Sequence, residues 1–108
     1  MIAFTPSGPI LTFTAATSAP TSVQATSRDG TATQQICLTN TDATNDAVIG
    51  WGASDAAAKL NAVVGANQRQ YYLLHGTQVV ITIGVGQYIT GITAANTAAI
   101  KVQTGMGN

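Results

Sequence analysis

Apolar and polar residues alternate with a period of two along most of the chain. The alternation is clearest at 8–14, 34–40, 47–52, 69–74, 77–83, 87–93 and 98–104, with a weaker case at 23–26. Because successive side chains of a strand point to opposite faces, this period indicates half-buried strands. Turn residues such as Asp29-Gly30 and His75-Gly76 separate them. The pattern therefore predicts an all-β fold, an antiparallel β-sandwich of about seven or eight strands.

One segment of the chain does not fit a strand. Ser54 precedes a run of good helix formers, and Asp55 and Lys59 stand four positions apart, which favours a capped helix. A short helix is costly to nucleate and would persist only if Leu60 and Val63 dock on the sheet. Two interpretations of 54–62 therefore remain open, at most one short helix or an irregular loop.

The two ends of the chain differ from its centre. Residues 1–9 are expected to form an extended N-terminal arm in front of a single β-sandwich domain over 10–108, because Pro6 and Pro9 favour extended conformations. Ile2 and Phe4 are apolar and have no obvious partner within so short a segment, so we expect them to dock on a neighbouring subunit. A disordered terminus is the alternative, since chain ends are often disordered. The segment also lacks the basic and apolar regions of a secretory signal.

The strongest strand patterns also predict the core. Its best candidates are the aliphatic residues at the centres of these strands, namely Ile36, Leu38, Ile49, Leu73, Val80, Ile81, Ile100 and Val102. Side chains of this kind bury well against a facing sheet.

Charge is scarce in this chain. Four basic and four acidic residues give a net charge of zero, and the polar positions are filled mostly by seventeen threonines. An ordinary domain is about 25% charged and keeps its net charge away from zero. A surface with so little electrostatic repulsion is best explained if other subunits cover much of it, so the expected partner is a second copy of the chain. The lack of a basic face excludes nucleic acid as a partner, and no apolar run is long enough for a membrane span.

Residues that could carry chemistry are few, and each has an ordinary structural role. His75 is the one general-base candidate near neutral pH, but its place before Gly76 indicates a turn. Cys37 stands between two apolar residues and is expected to be a small buried group; as the single cysteine, it excludes an intrachain disulfide. A calcium site at Asp42 and Asp46 would need more oxygen ligands than that loop supplies. The sequence therefore predicts no enzyme, no catalytic residue, no metal and no cofactor.

Large aromatic residues are the best candidates for subunit contacts. Trp51 is flanked by two glycines and is expected to anchor the core or an interface. Tyr71 and Tyr72 are adjacent, so on a strand one should pack inward while the other is exposed or covered by a neighbour. Together with the apolar residues of the arm, the candidate assembly contacts are Ile2, Phe4, Trp51, Tyr71 and Tyr72.

The order of strands and turns after residue 34 also has a recognisable form. The matching stretches are Ile36-Cys37-Leu38-Thr39-Asn40-Thr41, Trp51-Gly52-Ala53-Ser54, Gly65-Ala66, Tyr71-Tyr72-Leu73-Leu74, Gly76-Thr77 and Ile100-Lys101-Val102. This arrangement, over about two-thirds of the chain, resembles small accessory proteins of tailed-phage virions. The resemblance implies a capsid decoration or cement protein with a β-sandwich fold, often a homotrimer. Its partners would be itself and the major capsid protein or other virion subunits, and its location the capsid surface after synthesis in the host cytoplasm.

Two hypotheses about function follow. The first is a structural virion protein that stabilises a shell by bridging neighbouring subunits. The alternative is a carbohydrate- or receptor-binding module of a fibre or appendage, with Trp51 or an exposed tyrosine as its stacking platform. Solvent exposure of the aromatic ring distinguishes them, because a platform must be open.

Overall fold

The computed structural model describes the backbone of residues 4–25, 33–63, 70–84 and 87–107, and the side chains of 10–25, 35–63, 70–83 and 87–105. These residues form strands and one helix in the order β1 (Phe4–Ala15), β2 (Val23–Gln24), β3 (Thr33–Asn40), β4 (Ala47–Gly52), α1 (Asp55–Asn61), β5 (Gln70–Leu73), β6 (Gln78–Gly84), β7 (Tyr88–Ile92) and β8 (Ala98–Gly107). The predicted all-β sandwich is confirmed, and of the two interpretations of 54–62 the structure has the short helix.

The strands form two four-stranded sheets. The first sheet has the order β1-β8-β3-β6 and the second sheet has the order β2-β7-β4-β5. Every pairing between these strands is antiparallel. Most consecutive strands lie in opposite sheets, so the chain passes back and forth across the sandwich. This winding is that of a jelly roll, in which two Greek keys close a double sheet.

The core lies between the two sheets. Its largest fully buried apolar side chains are aliphatic and come from both inner faces: Ile36, Leu38, Ile100 and Val102 from the first sheet, and Ile49, Leu73 and Ile89 from the second. The predicted core residues are all buried except Val80 and Ile81, which are half-buried. Val80 stands opposite Cys37 in the register and faces away from the core, because its neighbours Val79 and Ile81 take the inward positions.

Helix α1 packs on the outer face of the second sheet. Ser54 caps it by accepting a hydrogen bond from the Ala57 N–H at 3.1 Å. The docked side chains are Ala58 and Ala62, whereas Leu60 is 72% exposed. The expectation that Leu60 and Val63 would dock was therefore wrong.

Small residues explain this orientation of the helix. A β-carbon added to Gly50 would lie 2.3 Å from the Ala62 nitrogen, and one added to Gly52 would lie 2.7 Å from the Ala57 β-carbon. The helix backbone thus approaches strand β4 so closely that only alanine fits between them.

The N-terminal segment belongs to β1. Phe4 pairs with Gly107 and Pro6 with Gly105, and the register shifts between Pro6 and Ile10. The backbone of 4–9 is therefore part of strand β1, and its strand partner is in the same chain. Docking of the arm on a neighbouring subunit stays a prediction, and Ile2 lies outside the described residues.

Candidate functional site

The outer face of the first sheet is almost free of charge. Its residues are set by the register of β1, β8, β3 and β6, in which the outward positions alternate with those of the core. We call it the charge-poor face, and its described side chains are Ile10, Thr12, Thr14, Gln35, Cys37, Thr39, Gln78, Val80, Thr82, Ala99, Lys101 and Gln103. Lys101 is the single charged side chain among them.

Gln78 links two other polar groups of this face, whereas the Gln35 Oε1 is buried without a hydrogen-bond partner among the described residues. Gln78 donates from Nε2 to the Cys37 Sγ at 2.8 Å and to the Thr39 Oγ1 at 3.2 Å. Cys37 is buried beneath its neighbours, as the sequence predicted, although it lies on the outer face of the sheet. A face of this kind presents hydroxyl, amide and methyl groups, which lose little on leaving water if they are paired.

The outer face of the second sheet is only partly covered. Helix α1 lies over Gly50 and Gly52, and the next outward row along the strands, formed by Tyr72, Val48 and Ile92, is left open. A cleft of about 470 Å³ occupies this space. We call it the open cleft, and its lining residues are Thr44, Asp46, Val48, Tyr72, Ile92, Thr93, Ala94 and Ala95.

Asp46 organises one end of the open cleft. Its Oδ2 accepts a hydrogen bond from the Tyr72 hydroxyl at 2.9 Å. Its Oδ1 accepts one from the His75 backbone N–H at 2.8 Å and lies 2.7 Å from the His75 Nδ1. The backbone N–H of His75 is the main cause that lowers the pKa of Asp46, and the Asp46 carboxylate in turn raises the pKa of Tyr72. The carboxylate is therefore charged at neutral pH and ties the loop before β4 to the turn after β5.

The other aspartate of this loop is structural. Asp42 accepts hydrogen bonds from the backbone N–H groups of Thr44 at 2.9 Å and Asn45 at 2.7 Å. The Thr44 N–H is the main cause that lowers the Asp42 pKa. The Asp42 carboxylate therefore caps the turn in the loop before β4.

The predicted contact residues lie in different environments. Trp51 on β4 is half-buried and packs against the core. Tyr71 and Tyr72 are 39% and 58% exposed, so the expectation of one inward-packed ring was wrong. Tyr71 lies on the inward side of the edge strand β5 together with the buried Leu73, yet its ring stays 39% exposed. Phe4 begins β1, an edge strand of the first sheet, whereas both tyrosines lie on β5 of the second sheet. The structure therefore places Phe4 and the tyrosines in different sheets.

The groups considered for catalysis contact different partners. The Cys37 sulfur accepts from Gln78, whereas the His75 ring lies against Asp46 in the turn that the sequence predicted. Within the described ranges, no three His, Cys, Asp or Glu side chains lie close enough to share a metal ion. No helix among these residues is both long and apolar enough to span a membrane.

Sequence reasoning missed the open cleft. The period-two pattern places Val48 and Tyr72 on the side opposite to Ile49 and Leu73, and that parity was a usable signal. Nothing along the chain pairs Val48 with Ile92, however, because the two positions are joined only by the sheet register.

Comparisons with protein-family models, with curated proteins and with solved structures each found no match. Function must therefore be inferred from the surfaces described above.

Proposed function

We propose that this protein is a structural subunit that binds its neighbours through the charge-poor face, in the setting of a capsid decoration or cement protein. The observation that carries the proposal is the composition of that face, which has Lys101 as the one charged side chain among those described on its four strands. Cores of protein interfaces are depleted of charge in the same way.

Desolvation is the physical reason that a face with little charge suits an interface. Removing an ion from water costs several kcal/mol unless it is paired, whereas a threonine methyl gains from burial and its hydroxyl needs one partner. A standard interface buries about 800 Å² of each partner. The chain exposes 5666 Å² in total, so one face of the sandwich supplies such an interface.

The winding of the strands supports the same setting. Jelly rolls are the fold of many viral capsid domains, and also of lectins. A fold does not determine function by itself. The choice between a capsid subunit and a lectin therefore rests on the composition of the charge-poor face. The expected partners are further copies of the chain, as a trimer if the resemblance holds, and the major capsid protein or other virion subunits.

The placement of Trp51 favours the structural hypothesis over a tryptophan-based binding module. A stacking platform must present the face of its ring to solvent, but Trp51 packs against the core. Its role as an assembly contact stays a prediction.

The experiment introduces charge on the proposed interface. Thr14→Glu combined with Thr82→Glu places two carboxylates at exposed positions of the charge-poor face. Sedimentation velocity should show the wild type as an oligomer and this variant shifted to the monomer, because each buried carboxylate would lose its hydration.

The matched control is Thr17→Glu combined with Thr97→Glu, which adds the same charge at exposed loop positions. It should keep the oligomer. A monomeric wild type, or equal dissociation of both variants, would contradict the proposal.

A further inference from the structure

We propose that the open cleft binds a neutral pyranose residue of a glycan, with the Tyr72 ring as the stacking platform. The cleft lies on the second sheet, opposite the charge-poor face, so this binding goes beyond the proposed assembly role and is independent of it. A subunit attached by the first sheet would present this cleft outward.

The shape of the cleft follows from the length of the helix. Helix α1 ends at Asn61, and no residue of the helix is among those that line the cleft over the Val48 row. Val48 is only 8% exposed and Ile92 is half-buried, which makes them a low apolar floor between higher walls. Its volume of about 470 Å³ is in the usual range for small-ligand sites.

Tyr72 lines the cleft, and a hydrogen bond fixes the position of its ring. The ring is 58% exposed, yet its hydroxyl donates to the Asp46 Oδ2 at 2.9 Å. Fixing the ring before binding reduces the entropy lost when a ligand stacks on it. The face of an aromatic ring carries partial negative charge and attracts the C–H groups on one side of a pyranose.

The polar end of the cleft suits hydroxyl donors. Asp46 is the one charged side chain that lines the cleft, and an ionised carboxylate can accept about four hydrogen bonds. The Oδ2 atom accepts only the Tyr72 hydroxyl among the hydrogen bonds described, which leaves room for a sugar hydroxyl. Thr44 also lines the cleft, and its hydroxyl donates to the Asp42 Oδ2 at 3.3 Å.

Charge and shape together select the class of ligand. The Asp46 carboxylate repels an anionic ligand such as a uronic acid or a phosphate. A wholly apolar ligand would bury that carboxylate without a donor. A neutral pyranose meets both requirements. Its apolar face can contact the Tyr72 ring and the apolar floor, and its hydroxyl groups can donate to the Asp46 carboxylate.

The test is a titration followed by amide chemical shifts. The probes are methyl α-D-glucopyranoside, methyl β-D-galactopyranoside and N-acetylglucosamine at millimolar concentrations, with glucuronate as the anionic comparison. At least one neutral sugar should shift the amides of residues 44–48, 72 and 92–95, and glucuronate should bind more weakly.

Variants at adjacent tyrosines provide the matched control. Tyr72→Ala should weaken the binding by about tenfold or more, whereas Tyr71→Ala, on the opposite side of the same strand, should leave it within about twofold of the wild type. Tyr72→Phe keeps the ring but loses the bond to Asp46, so it should show an intermediate loss.

Several outcomes would overturn the proposal. They are no shift with any neutral sugar, shifts that map outside the cleft, equal losses in the two alanine variants, or glucuronate binding as tightly as the neutral sugars. A changed sedimentation coefficient in Tyr72→Ala would also overturn it, because the ring would then belong to a subunit contact. Failure of the assembly proposal shows separately, in the charge variants of the first sheet.

Discussion

Replacing Gly50 by alanine tests how closely helix α1 lies on the second sheet. The new β-carbon would meet the Ala62 nitrogen at 2.3 Å and the Asn61 carbonyl carbon at 2.6 Å. Both are backbone atoms, so no side chain can rotate away from the contact. Ordinary contacts begin near 3.4 Å, and the end of the helix must therefore move by about 1 Å.

The magnitude follows from that displacement. A gap of about 1 Å forfeits up to about half of the dispersion energy of the atoms concerned, and overpacking of this kind typically costs about 1–3 kcal/mol. Alanine is better than glycine in a strand by about 0.5–1 kcal/mol, which offsets part of the loss. We expect Gly50→Ala to lower the free energy of unfolding by about 1 kcal/mol, a fall in Tm of about 5 °C.

Thermal unfolding measures the loss, and hydrogen exchange locates it. The amides of Ala58 and Ala62 donate to Ser54 and Ala58 within the helix, and they should lose protection in Gly50→Ala. The control is Gly76→Ala, where nothing lies within 4 Å but φ is +66°. That change should cost about 1 kcal/mol through backbone strain and leave the helix amides protected. A Gly50→Ala protein as stable as the wild type would show that the helix does not rest on β4.

Three further predictions concern the core and the response to acid. Thr104→Val should raise the free energy of unfolding by about 1 kcal/mol, because the buried Thr104 Oγ1 has no hydrogen-bond partner among the described residues; a lower Tm by calorimetry would contradict this. Leu38→Ala should lower it by about 2–5 kcal/mol in urea unfolding, whereas exposed Thr12→Ala should change it by less than about 0.5 kcal/mol; equal effects would mean that Leu38 is not in the core. The Ser22 hydroxyl, with the Ser22 N–H second, lowers the pKa of Asp55 from 3.8 to about 2. The ionised Asp55 carboxylate therefore stabilises the fold above pH 3.8, and this stabilisation is lost as the pH falls towards 2. Asp55→Asn should be less stable than the wild type at neutral pH, and the difference in stability should shrink between pH 3.8 and 2. A difference in Tm that is constant from pH 7 to pH 2 would refute the assignment.

The sequence by itself determined where the strands and the helix lie. Period-two alternation is a local property, because each strand must present one side to the core whatever its partners are. The cap at Ser54 is equally local, since its hydroxyl binds an N–H three residues ahead. The scarcity of charge on the surface could be read from composition, and Cys37 and Leu38 were correctly expected to be buried.

The tertiary structure alone decided how these elements are arranged. Alternation tells which residues share a side of a strand, but the side that faces the core depends on the strand's neighbours. Val80 therefore faces outward despite its strong strand pattern. Leu60 is exposed because Gly50 and Gly52 let the helix dock through alanine.

Both candidate sites depend on the same long-range pairing. The charge-poor face exists because β1, β8, β3 and β6 lie side by side, although they are distant in the chain. The open cleft exists because the register places Val48 between Tyr72 and Ile92, and because the helix stops before that row. Strand order and register minimise the free energy of the whole sandwich, so no local pattern of residues could have specified them.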